Sequence, residues 1–143
     1  VSKTPIAPKL RRQVAQDARH RCGYCLCQED VVGILMEVEH LKPEALGGWT
    51  ARSNLWLACG DCNKRKGKRV RVTDPATGRS VRLFNPRKDK WGDHFRWLHG
   101  GLLVEGVSEI GRATVEALQL NLPPERVVAR GRWIRAGWHP PRD

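Results

Sequence analysis

Apolar residues recur every four positions at Leu10, Val14 and Ala18, which predicts a helix over 9–20. Pro8 suits its first turn, where a missing N–H costs nothing. Residues 36–41 then alternate apolar and polar side chains and predict a strand, ended by Pro43. A second short strand is expected over 54–58, and a short helix over 61–68 that stops near Gly67. Gly47-Gly48 frees the backbone of the connecting loop, and Trp49 on that loop is read as a packing residue. The stretch 28–35 is open between a strand paired with 36–41 and an irregular approach to it.

Further along, 70–73 and 80–84 alternate like the arms of a hairpin, with turn residues over 74–78. Asn85-Pro86-Arg87 breaks the chain. Trp91, His94, Phe95 and Trp97 form an aromatic group assigned to core packing. A second hairpin is expected over 95–98 and 102–107, across Gly100-Gly101. Ile110, Val115 and Leu118 suit one face of a helix over 109–120, ended by Asn121. Pro123-Pro124 opens a last helix carrying Val127, Val128, Arg130, Trp133 and Ile134. The Pro-rich tail over 138–143 is expected to be loose.

Chemistry enters with the cysteines. Cys22/Cys25 and Cys59/Cys62 are two Cys-x-x-Cys pairs separated by 33 residues. Each pair lets one tight turn present two sulfurs, and two turns complete a tetrahedral zinc site. Cys27 is left as a spare small apolar residue that could exchange with Cys25. Strand, loop, strand and helix around such a knuckle would gather Glu39, His40 and Asn63. A carboxylate and an amide oxygen are hard ligands suited to magnesium or manganese. An imidazole beside them can take a proton from water at neutral pH.

The order Cys-x-x-Cys, acid-His-x-x-Pro, Gly-Gly, Asn-Leu-x-x-x-Cys-x-x-Cys-Asn-x-x-Lys resembles the HNH endonucleases, with their ββα-metal (His-Me finger) active site. Asn54 lies 14 positions after His40, and Asn63 lies 9 after Asn54, as in that family. The resemblance implies that His40 is the general base and that Asn54 pins the loop and orients it. It implies that Asn63 and Glu39 ligate a catalytic divalent ion, with Glu39 standing where Asp is usual. Lys66 matches the family's Lys after the Asn. The chain order from the 70–84 hairpin onward resembles, more softly, the C-terminal part of a bacterial and phage group of small HNH proteins. His94 and His99 are minor candidates for further metal or substrate contact.

The implied fold class is α+β: a small ββα-metal core around a structural zinc. The expected layout is an N-terminal helix (1–21), the nuclease core (22–69) and a hairpin-plus-helices extension (70–143), packed as one domain.

Charge extends this picture. Twenty-six Lys and Arg oppose 15 Asp and Glu, a net +11 that favours a polyanion such as nucleic acid. The densest run is 64–71, and Lys64, Arg65, Lys66, Lys68 and Arg69 are the expected phosphate contacts. The arginines of the first helix are open between solvated charge and phosphate contact. No apolar run approaches the roughly 20 residues of a membrane span. Residues 1–8 lack an apolar signal core, and metal-type thiols suit a reducing compartment, so the cytoplasm is expected. The chain begins without Met, which suggests a trimmed or engineered start. The expected activity is metal-dependent hydrolysis of DNA phosphodiesters, as nicks, by a monomer or homodimer. The alternative is a zinc-stabilised nucleic-acid-binding module without turnover.

Overall fold

The computed structural model describes residues 4–142. Three residues of the lead-in and Asp143 of the tail lie outside the described residues. The fold mixes helices with small antiparallel sheets and divides into two compact units. The first unit is residues 1–70 with 85–88, and the second is 71–84 with 89–143. Among the described residues no helix is long and apolar enough to cross a membrane.

In the first unit, helix α1 (Pro8–Asp17) starts on a proline and buries Val14, Ala15 and Ala18. Arg19 and His20 at positive φ turn the chain sharply after it. The stretch left open between strand and irregular structure contains a short helix, α2 (Glu29–Val32), closed by Gly33 in the left-handed conformation. Its apolar successors Ile34 and Leu35 are exposed. A strand is excluded there because Glu29 holds both ends of the segment. Its carboxylate accepts from the Met36 amide at 2.6 Å and pairs with His20 at 3.0 Å.

Strand β1 (Glu37–His40) pairs antiparallel with β2 (Leu55–Ala58), placing Glu39 opposite Trp56 and His40 opposite Leu55. Leu55, Leu57 and Ala58 are fully buried beneath this hairpin. Helix α3 (Gly60–Lys66) follows at once. The Cys59 sulfur caps it by accepting from the Cys62 amide, and Gly67 at φ +56° ends it. The 85–88 segment belongs to this unit through Arg87. Its guanidinium donates to Asp17 and to the Leu55 carbonyl, and lies 4.9 Å from the Trp56 ring. Asp17 also receives both ends of Arg52, and these hydrogen bonds hold its carboxyl well below the usual range.

The second unit is built on two hairpins, a one-turn helix and two longer helices. Strands β3 (Arg71–Thr73) and β4 (Ser80–Arg82) pair, as do β5 (Phe95–Leu98) and β6 (Leu103–Gly106), the latter after a one-turn helix α4 (Trp91–His94). Helix α5 (Glu109–Leu118) buries Gly111, Ala113, Thr114 and Leu118, so of the expected Ile110, Val115 and Leu118 face Leu118 is fully buried while Ile110 and Val115 are half-buried. Gly111 sets that rotation, because a Cβ there would stand 1.8 Å from the His94 carbonyl oxygen. The aromatic residues pack together as expected: Phe84 meets His94 and Phe95, and Trp91 meets Phe95 and Trp97.

Helix α6 (Pro124–Ala136) buries a charge, Arg130. Arg130 donates to the Leu102 and Leu120 carbonyls and to Asn121. The tail is less loose than expected. His139 is buried, bonded to the Gly101 carbonyl and set edge-on against Trp97 and Trp133.

Candidate functional site

The four paired cysteines converge. The sulfurs of Cys22, Cys25, Cys59 and Cys62 all lie within 4.8 Å of one another. Zn–S bonds of about 2.3 Å in a tetrahedron place sulfurs roughly 3.8 Å apart, and Cys25 Sγ to Cys59 Sγ is 3.8 Å. Backbone amides already turn toward the sulfurs, from Tyr24 to Cys22 at 3.5 Å and from Cys62 to Cys59 at 3.4 Å. Such bonds stabilise thiolates. Hydrogen bonds from Cys22 hold the Cys25 and Cys59 thiols low, while burial holds Cys22 itself high. Cys27 lies beside the group but outside the four.

The site is joined rigidly to the β hairpin. The Gly23 amide donates to the Leu57 carbonyl at 2.9 Å. A Cβ at Gly23 would stand 2.5 Å from the Trp56 ring, so the first knuckle lies directly on β2. Strand β2 then runs into the second knuckle at Cys59.

A cleft of about 80 Å³ opens beside this frame, lined by Glu39, His40, Glu44, Asn63, Lys66 and Lys68 among others. Glu39 and Lys66 are each only 3% exposed, and the Lys66 ammonium stands 3.1 Å from the Glu39 carboxylate. Lys66 also donates to the His40 carbonyl at 3.1 Å. Neither Glu39 oxygen receives an aligned hydrogen bond, although both are buried. Burial pushes the Glu39 carboxyl above its ordinary range, and Lys66 beside it pulls it back.

His40 is 6% exposed. Its Nε2 lies 2.8 Å from the Thr50 hydroxyl and 3.7 Å from Glu44 Oε1. Burial lowers its pKa, with Glu44 opposing, so the neutral imidazole is favoured.

Asn54 ties the connecting loop shut. Its Oδ1 accepts from the Lys42 amide at 2.9 Å, and its Nδ2 donates to the carbonyls of Lys42 and Trp49 at 3.0 and 2.8 Å. Gly48 packs so tightly inside the loop that a Cβ would stand 1.7 Å from the Lys42 oxygen.

Asn63, on α3, donates from Nδ2 to Glu37 Oε1 at 2.8 Å. A carboxylate only accepts, so Glu37 fixes the amide and leaves Oδ1 for the cleft. The buried Glu39 carboxylate, shared with the Lys66 ammonium, and this amide oxygen are hard donors of the kind that a divalent cation keeping several waters takes.

The basic run divides. Lys64, Lys68 and Arg69 are exposed and Arg65 is half-buried, whereas Lys66 is drawn inside by Glu39 and leaves the surface row. His94 pairs with Ser108 at 2.7 Å in the second unit, and His99 is exposed there. Neither joins a metal group among the described residues.

Sequence reasoning missed Thr50, Glu44 and Glu37, whose roles depend on contacts across a loop or between elements. It also expected Trp49 to pack, yet Trp49 is 81% exposed.

Residues 22–69 match the family described as HNH endonuclease. The chain is also similar to the Septu protein PtuB of Bacillus thuringiensis, 27% identical over 119 residues. That match covers 80% of this chain and 42% of the relative, so the chain spans less than half the length of the curated relative it matches. No solved structure matches. The chain therefore carries an HNH endonuclease domain at residues 22–69, with four cysteines placed for a metal.

Proposed function

We propose that this chain, through its HNH domain, is a metal-dependent endonuclease that hydrolyses DNA phosphodiesters. The observation that carries the reading is the meeting of Glu39, His40 and Asn63 at one cleft. With Nε2 held by Thr50, His40 keeps Nδ1 as the atom that takes a proton from the attacking water. Its low pKa keeps it neutral for that task. Asn54 holds the loop, and through it Thr50, in place. Glu39 and Asn63 would hold magnesium or manganese, which when bound offsets phosphate charge and stabilises the departing 3′ oxygen. Lys64, Arg65, Lys68 and Arg69 offer cations to flanking phosphates, and Lys66 offers its charge from within the cleft. Zinc on the four cysteines fixes the two knuckles. One site per chain nicks one strand, and a double-strand break takes a homodimer or a second visit. Thiols reserved for metal suit the cytoplasm.

One observation favours a second reading, a zinc-stabilised nucleic-acid-binding module without turnover. Lys66 already neutralises Glu39 from 3.1 Å. In that case Glu39, His40 and Asn63 are dispensable for DNA binding, and no cleavage occurs.

Supercoiled plasmid separates the two. The nuclease reading expects nicked circles with magnesium or manganese, and none with His40→Ala. Salt-sensitive binding with no cleavage under either metal supports the binding module.

A further inference from the structure

Trp49 is the most exposed large apolar side chain among the described residues, at 81%. Singly exposed apolar residues are ordinary on protein surfaces, and Trp138 is itself 56% exposed. Trp49 differs because its backbone is immobilised while its indole is left in solvent. The Gly48 amide donates to the Pro43 carbonyl at 3.0 Å. The Trp49 carbonyl accepts from Asn54 at 2.8 Å. The Thr50 hydroxyl lies 2.8 Å from His40 Nε2. Three consecutive residues are therefore anchored, the last of them to the imidazole itself. A fixed backbone lowers the ordering cost of using the indole as a contact surface.

Charge near the cleft selects the occupant. Lys68 and Lys66 line the cleft, and Lys64 and Arg69 are exposed on and after α3. Thr50, next to Trp49, is bonded to His40, which lines the same cleft as Lys66 and Lys68. An aromatic face on a rigid loop leading to a cationic cleft is the combination that takes a polyanion carrying flat, apolar rings.

We propose that the Trp49 indole is a stacking platform for a nucleobase displaced from its stack beside the bound phosphate. The domain then engages DNA best where a strand is single or frayed. This deepens the nuclease reading, since it rests on the cleft receiving DNA phosphates.

The test is titration of a fluorescently labelled single-stranded oligonucleotide, and of its perfect duplex, with the zinc-loaded full chain and no other divalent metal. Trp49→Phe and Trp49→Ala are compared with wild type. Loss of one stacked base weakens binding by about tenfold, so Trp49→Ala is expected to lose that factor on the single strand and much less on the duplex. Trp49→Phe keeps most of the affinity. The dependence of binding on salt stays unchanged, because no phosphate contact is removed.

Equal single-strand affinity in Trp49→Ala and wild type overturns the proposal. Absence of wild-type binding, or an equal loss on both DNAs, also overturns it. These outcomes need no cleavage. Binding that depends on Trp49 with no hydrolysis under magnesium or manganese defeats the nuclease reading alone. Cleavage by Trp49→Ala with unaltered binding defeats the stacking proposal alone.

Discussion

The Lys66 ammonium stands 3.1 Å from the Glu39 carboxylate, and each residue is only 3% exposed. The two come from different elements, α3 and β1, so the pair ties the helix to the strand at the floor of the cleft. Removing one partner of a buried pair leaves the other charge uncompensated, at a cost of about 3–5 kcal/mol. Lys66→Met is therefore expected to lower the melting temperature. Manganese should then raise it more in the variant than in wild type, because a bound cation replaces the missing ammonium. Thermal unfolding with and without manganese checks this. An equal manganese effect in both proteins would contradict Glu39 as a cation ligand.

Asn54 and Gly48 hold the same loop by different means. Asn54→Ala removes three hydrogen bonds and leaves the Lys42 amide and two carbonyls without that partner. Each such group that remains buried costs about 1–3 kcal/mol. Gly48→Ala reaches the same loop by another route, forcing the backbone away from the Lys42 oxygen. Both variants should show faster hydrogen exchange at the Lys42 amide while the β1–β2 amides stay protected. Uniform loss of protection across the unit would instead mark a global effect.

Zinc is expected at one ion per chain, on Cys22, Cys25, Cys59 and Cys62. Binding energy at such a site is also folding energy. A strong chelator should therefore unfold the first unit, and Cys59→Ser should retain less zinc. Metal analysis of pure protein together with circular dichroism reads both. A chain that stays folded and metal-free would remove the structural zinc.

Acid should weaken the second unit through Asp74. Arg112 donates to both of its oxygens at 3.1 and 2.9 Å, and these bonds are the first cause that holds its pKa at about 2 against an ordinary 3.8. A lowered carboxyl pKa stabilises the fold above the unfolded value. That contribution is lost as pH falls through 3.8 toward about 2. Asp74→Asn should be less stable near neutrality and show a shallower decline over that window. Denaturant midpoints measured from pH 5 downward test it.

Much of the candidate site was legible because its chemistry imposes spacing. Two Cys-x-x-Cys turns, a strand of alternating residues and a helix capped by Cys59 each leave a local signature. The missed features depend on partners distant in sequence. Lys66 sits in a run of charges read as phosphate contacts, and its burial follows from Glu39, 27 positions earlier, and from the His40 carbonyl. Arg130 is buried because three acceptors from the 102–121 region surround it, which no periodicity reveals. The α5 face was legible at Leu118 but is turned away from Ile110 and Val115, because hydrophobicity does not register the close approach to His94 that requires Gly111. The apolar residues of 28–35 left strand and irregular structure open, and Glu29 settles the segment by hydrogen bonds that composition does not encode.

The most direct test of the nuclease account is single-turnover cleavage of supercoiled plasmid with magnesium or manganese, run beside His40→Ala with DNA binding measured on the same preparations. The account predicts metal-dependent nicking by wild type. In His40→Ala it predicts a rate lower by about 10²–10⁴-fold with binding retained. Wild-type protein that binds the plasmid yet leaves it intact under both metals, or His40→Ala that cleaves at the wild-type rate, would contradict it.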